Sequence, residues 1–289
     1  MRLKKEAFRD LGTAALARCA RGESSWVSID EIGYLECGCP EYCGAIRELM
    51  EKKQVAAVVR KQDIPFLEEL CSRPDVFCVD LDQPFGRIGC VIMASGLGRR
   101  FGGGKLLAKL EGKPLIEWTL DATEGIFRQR IVVTRHREVE TLCREREAPA
   151  LLHSLPYRSD TIRLGLEALE KEVEPLEACV FCPADQPLLR RETLASLALC
   201  AAGTKKSQEQ PGIWRPAFGE RAGSPVLFPR RFFEELRALP EGQGGSYVIR
   251  SHPEAVRILQ VRDPMELADV DTPEDLESMK SWKSSVRQR

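Results

Sequence analysis

MASGLGRRFGGGK, Met93 to Lys105, is the stretch on which the reading of this chain turns. It follows directly on the apolar run Ile88–Ile92, which has the composition of a buried strand. Glycines at 96, 98, 102, 103 and 104 let backbone approach a ligand closely and turn several N–H groups toward phosphate oxygens. Arg99, Arg100 and Lys105 add cations to the same loop, a combination suited to a triphosphate. Two familiar phosphate loops are excluded. A Walker A loop needs Ser or Thr after its lysine and glycine five positions before the last one; here Leu106 and Arg99 stand there. A dinucleotide fingerprint needs a third glycine where Phe101 stands, and Ile131–Val133 runs into Thr134-Arg135 rather than into an acid.

Outward from this loop, strand-like and helix-like stretches alternate. Strands are expected at Ile88–Met93, Arg130–Thr134, Ala178–Cys182, Ser224–Phe228 and Val256–Gln260. Helical periodicity occupies Leu115–Glu124, Glu138–Glu145, Asp160–Lys171, Arg191–Ala201 and Arg230–Leu239. That alternation predicts a three-layer α/β domain over residues 86–280 with a mostly parallel, Rossmann-like sheet, whose ligands gather at the carboxyl ends of the strands. Residues 1–85 form a smaller α/β unit with strands at Trp26–Ile29, Val55–Val59 and Val76–Val79, joined through Pro84–Gly86. The end of the chain, residues 281–289, reads as a frayed basic tail.

Composition removes several classes of function. With 43 basic and 44 acidic residues the net charge is −1, which gives no footprint for nucleic acid or an anionic membrane. No run approaches the roughly 18 apolar residues of a membrane span, and no apolar stretch follows the basic N-terminus, so a cytoplasmic protein is expected. The 11 cysteines are expected to be reduced thiols. Cys179 and Cys182 sit in a strand, where positions three apart face opposite ways, so they are not a metal pair. The three histidines, His136, His153 and His252, lie in no motif and are expected at the surface.

Two carboxylate segments carry further chemistry. CPADQPLL ends a strand at Asp185, where a carboxylate can hold Mg²⁺ against nucleotide phosphates or cap the turn before Pro187. In ADVDTPEDL, Thr272, Pro273 and Asp275 make a helix start, while Asp269 and Asp271 stand just before it with no capping role.

The loop, with Lys105-Leu106-Leu107, Gly112-Lys113-Pro114-Leu115, the DQP motif and the GSPVLF segment from Gly223, resembles the MobA-like nucleotidyltransferases, and within them the molybdenum cofactor cytidylyltransferases. The likeness runs from about Gly89 to Leu276. Their loop is written LAAGxGxRxGxxK; Met93, Ala94, Gly96, Gly98, Gly102 and Lys105 follow it, Ser95 replaces an alanine, and Arg99 is taken as its arginine. The resemblance implies a nucleotide-diphospho-sugar transferase type of fold and nucleotide contacts from Met93, Ala94, Ser95, Gly96, Leu97, Gly98, Arg99 and Lys105. It also implies Mg²⁺ on Asp185 and Asp271, and pyrophosphate stabilised by Arg99 and Lys105 beside Asp185. Ser159 and Thr161 match a serine-rich segment near the base, and Gly223 and Ser224 lie beside the acceptor. The implied reaction passes CMP from CTP, or another nucleotide, to a molybdopterin-type acceptor, with a molybdenum hydroxylase as the recipient of the product. Ser95, and YRSDTI from Tyr157 to Ile162 where relatives carry GMSSSL, leave guanine open against cytosine. Transfer to a sugar phosphate, or a nucleotide-binding accessory role without turnover, are the further alternatives.

WVSIDEIGYLE, Trp26 to Glu36, has the form of a Walker B strand, with Asp30 for metal and Glu31 for water. With EAFRDLG before it and SRPDVFCVD after it, it makes residues 1–85 resemble the later half of a small nucleoside triphosphatase, here without a phosphate loop.

Overall fold

The computed structural model describes residues 8–82, 84–171, 175–203 and 211–287. By internal contacts the chain divides into two units, Met1–Cys78 and Val79–Arg289, a boundary slightly earlier than the Pro84–Gly86 expected from composition.

In the first unit, β1 (Trp26–Ile32) and β2 (Gln54–Val59) pair in parallel. Helices α1 (Thr13–Arg21), α2 (Pro40–Lys52) and α3 (Pro65–Ser72) bury Leu16, Ile46, Leu49, Phe66, Leu67 and Leu70 against Ile29 and Ile32. The other side of the pair stays open, with Trp26 at 60% and Val58 at 50% exposure. Residues 76–79, expected as a strand, have no regular secondary structure and pair with no strand among the described residues.

The second unit is built on a sheet ordered β8-β7-β9-β6-β3-β4-β5, with β10 also paired to β7. These strands are β3 (Ile88–Ala94), β4 (Gln129–Thr134), β5 (Ala150–Leu152), β6 (Ala178–Pro183), β7 (Ile213–Phe218), β8 (Arg221–Ala222), β9 (Val226–Pro229) and β10 (Val256–Gln260). β3 pairs in parallel with both β4 and β6, while β9 runs antiparallel to β6 and β7. Period-two alternation divides the core. Cys90, Ile92 and Ala94 face one side, with α4 (Leu115–Thr123), α5 (Arg137–Glu145) and α7 (Arg191–Gly203). Val91 faces the other, with α6 (Arg158–Leu169), α8 (Phe233–Arg237) and α9 (Ser246–Ser251). Cys179 and Cys182 fall in these two different cores, as strand geometry requires.

Because β4 lies on one side of β3 and β6 on the other, strand order reverses at β3, and a crevice opens at its carboxyl end. Both the glycine loop and the DQP segment leave the sheet there. Strands β5, β7 and β8 were not anticipated. The expected frayed tail is instead the end of α10 (Pro273–Arg287): Lys283 Nζ sits 3.5 Å from the Trp118 ring centroid and 2.9 Å from Glu111, which holds the last turns on the domain. Gln288 and Arg289 of that stretch lie outside the described residues. Among the described residues no helix is long and apolar enough to cross a membrane.

Candidate active site

The loop leaves β3 through a series of tight turns. Gly98 is left-handed at φ 57°, and its carbonyl accepts from the N–H groups of Phe101 at 3.0 Å and Gly103 at 3.1 Å. Side chains at the end of β4 hold the first three carbonyls. The Ala94 oxygen accepts from Thr134 Oγ1 at 3.0 Å, that of Ser95 from Arg135 Nε at 2.9 Å, and that of Gly96 bonds His136 Nε2 at 2.9 Å. In a trans peptide the N–H points opposite the C=O, so this clamp turns the following N–H groups away from β4, as an anion site requires. Arg135 also donates through Nη1 to the carbonyls of Leu155 at 3.4 Å and Pro156 at 3.2 Å, tying the loop to the entry of α6.

Ser95 is buried, and its hydroxyl donates to the Val133 carbonyl at 3.0 Å while lying 2.8 Å from His153 Nε2. For both contacts to be hydrogen bonds the proton of His153 sits on Nε2. Burial, with the Arg135 charge as a second cause, pulls the His153 pKa below its ordinary value and favours this neutral ring. The surface role expected for His136 and His153 is thus corrected: both side chains bond the loop that leaves β3, His136 at the Gly96 carbonyl and His153 at Ser95. No motif in the sequence announces that meeting. The adjacent Thr134-Arg135-His136 was the available signal.

Lys105 carries the charge of the site inward. Its side chain is only 10% exposed, and Nζ lies 2.5 Å from Asp185 Oδ2 and 3.4 Å from Asp271 Oδ1. Three segments distant in sequence therefore converge on one ammonium. Asp185 is held by its own backbone, whose carbonyl accepts from the Val270 N–H at 2.9 Å, and Gln186 Nε2 reaches the Leu267 carbonyl at 3.4 Å. Asp271 precedes α10, where Asp275 accepts from the N–H groups of Asp271 at 3.0 Å and Thr272 at 2.8 Å, and Thr272 Oγ1 accepts from Asp275 N at 3.2 Å. These bonds lower the Asp275 pKa and leave Asp271 free of a capping role. Desolvation, then the neighbouring Asp185 charge, raises the Asp269 carboxyl.

Arg100, not Arg99, reaches this cluster, with Nη2 2.8 Å from Asp271 Oδ2. Counted along the loop, the arginine of the family pattern falls at Arg100 as well, where the sequence reading took Arg99; both side chains are exposed. Met93 and Ala94 close β3, and Leu97 is 45% exposed at the loop surface. Ser159 and Thr161 open α6 with both residues buried, and the Thr161 hydroxyl has no partner. Gly223 and Ser224 lead into β9, which is antiparallel to β6 and so starts at the same end of the sheet as Asp185.

The donors around Lys105 are hard carboxylate oxygens, and two of them already face one cation, which suits a hard divalent ion. Among the described residues no group of three or more His, Cys, Asp or Glu gathers to hold a metal, so substrate oxygens and water must complete any shell.

In the first unit, the Asp30-Glu31 pair lies within β1 rather than at its end. Glu31 is taken up by an ion pair with Arg60 at 2.6 Å, which lowers its pKa.

Residues 90–256 match the MobA-like NTP transferase domain, and residues 2–84 match an NTPase family. A protein of Bacillus licheniformis named a probable molybdenum cofactor guanylyltransferase is 32% identical over 107 residues, 37% of this chain and 53% of that protein. One of the same name from Geobacillus is 27% identical over 153 residues, 53% of this chain and 75% of that protein. The chain thus spans about half the length of the first relative and three-quarters of the second. In fold, the molybdopterin-guanine dinucleotide biosynthesis protein A of Archaeoglobus fulgidus superposes with a TM-score of 0.52 at 20% identity, over 68% of this chain and 99% of that one. With its glycine loop, DQP aspartate and sheet order all in the second unit, the chain belongs to the MobA-like NTP transferase family.

Proposed function

We propose that the second unit transfers a nucleotidyl group from a nucleoside triphosphate to the terminal phosphate of a molybdopterin-type acceptor, with CTP as donor and Mg²⁺ as cofactor. The observation that carries this reading is the convergence of Lys105, Asp185 and Asp271 at the mouth of the glycine loop. An acceptor phosphate oxygen attacks the α-phosphorus, the bond to the α–β bridging oxygen breaks, and pyrophosphate leaves with that electron pair. A phosphate oxygen is already deprotonated at neutral pH, so no general base is needed, and catalysis is positioning plus charge neutralisation. The loop N–H groups bind the triphosphate, Lys105 neutralises charge on the transferring and leaving phosphates, and Arg100 faces the leaving side. Asp185 and Asp271 would hold Mg²⁺, which when bound supplies further positive charge to the phosphates.

GTP in place of CTP is the second reading, and the names of the Bacillus and Geobacillus relatives favour it. Pyrophosphate release with Mg²⁺ and molybdopterin, compared across CTP, GTP, ATP and UTP and with Asp185→Ala, tests both. Release with CTP alone, lost in the variant, supports the first; release with GTP alone moves the assignment to guanylyl transfer. Nucleotide binding without release from any of the four sinks the transferase reading in favour of an accessory role for a molybdenum hydroxylase.

A further inference from the structure

On β7, Arg215 is a partly buried cation of the second unit that bonds a carbonyl rather than a carboxylate, as Arg135 does beside the glycine loop. Lys105 has Asp185 and Asp271, and Arg237 has Glu170 and Glu234, but no carboxylate of the described residues lies within ion-pair distance of Arg215. Its contacts are instead to one carbonyl: Nε and Nη2 both donate to the Gly223 oxygen, at 3.2 and 3.1 Å. Nη1 is left over, and no nitrogen of this guanidinium is sealed from solvent without a partner, so the unused donors stay accessible. Burial pulls its pKa below the ordinary arginine value. A half-buried charge without a counter-ion is costly to keep, and an anionic ligand removes that cost.

The topology says where such a ligand sits. Val226 of β9 pairs with Phe181 of β6, so the residues just before β9 lie at the carboxyl end of β6, where Asp185 follows. Leu227 pairs antiparallel with Trp214, which sets Arg215 one step nearer that same end. Gly223 is fixed there twice, by its N–H on the Pro216 carbonyl at 2.9 Å and by Leu267, whose Cβ lies 3.2 Å from where a side chain would begin. Its carbonyl in turn fixes the plane of the guanidinium. A planar fork held by one edge presents its remaining N–H groups as a phosphate receptor.

We propose that Arg215, seated on the Gly223 carbonyl, is the receptor for the phosphate monoester of the acceptor. This rests on the nucleotidyl-transfer reading above. The triphosphate belongs to the glycine loop on β3, and the acceptor must approach from the β9 side, where Arg215 is the cation without a carboxylate. Arg215 selects a phosphorylated acceptor over its dephosphorylated form.

The test uses the full chain saturated with an α,β-methylene nucleotide, so that the glycine loop is filled, and inorganic phosphate as the probe, titrated by phosphorus NMR. Phosphate is expected to bind the wild type, with affinity falling about tenfold or more in Arg215→Gln, as for loss of a charge-assisted contact. The analogue's own affinity should be unchanged in that variant. Unchanged phosphate affinity in Arg215→Gln overturns the proposal, as does an equal fall for the analogue. On the wild type itself, phosphate should protect Arg215 from phenylglyoxal; modification at the same rate with and without phosphate also overturns it, with no dependence on how a variant folds. Failure of the wild type to bind the analogue is seen before any phosphate is added, and it rejects the underlying transferase reading instead.

Discussion

Lys105 draws two carboxylates onto one ammonium, and at the residue scale most of the chemistry follows from that contact. Replacing it by methionine is expected to lower the rate of pyrophosphate release by about a hundredfold or more, the magnitude of losing one preorganised charge. A drop of only twofold would place the lysine outside the transition state. Arg100→Ala should cost more activity than Arg99→Ala, since only Arg100 reaches Asp271; equal losses would contradict that assignment. His153 has a depressed pKa in the folded chain, so the folded state resists its protonation. The sign follows: this contribution to stability is complete above the unfolded value of about 6.5 and is lost as pH falls below it. Thermal melting at pH 7.5 and 5.5 should therefore show a smaller acid-induced drop for His153→Gln than for the wild type. The sequence made Lys105, Asp185 and Asp271 legible because each lies in a motif. Arg135, His136 and His153 were not legible, because their role exists only where strand ends meet.

Elements position these residues through tight packing, most visibly where α6 crosses β3. A Cβ on Gly165 would lie 2.6 Å from both Val91 methyl carbons, so the helix rests directly on the strand that delivers the glycine loop. Gly165→Ala is expected to destabilise the domain by about 1–3 kcal/mol, the usual cost of overpacking. An unchanged melting temperature would show that α6 can move away freely. At the start of α10, Thr272→Ala should remove the cap on Asp275 and cost about 1 kcal/mol. The strands that are continuous apolar runs, such as β3 and β6, were read from sequence almost to the residue. β7 escaped notice because Trp214, Arg215 and Pro216 break the apolar run, and Val76–Val79, read as a strand, forms none among the described residues.

At the scale of the whole molecule, the two units meet in sequence at a stretch whose apolar side chains are exposed: Phe77 at 55%, Val79 at 38% and Leu81 at 76%. Brief chymotrypsin treatment is expected to cut after Phe77 or Leu81 and to leave the second unit as a fragment that still binds nucleotide. Cleavage elsewhere first, or loss of nucleotide binding on cutting at these sites, would contradict the assignment of the site to that unit alone. The sequence by itself determined the two-unit plan, the parallel sheet and the residues of the glycine loop, DQP and DTP motifs, since strand periodicity, glycine turns and helix caps act over a few neighbouring residues. Only the tertiary structure decided which arginine pairs with Asp271, which strand ends clamp the loop and where an arginine bonds a carbonyl in place of a carboxylate. The first two are properties of segments 40 to 171 residues apart in the chain, brought together by strand order and register, and no local pattern encodes them.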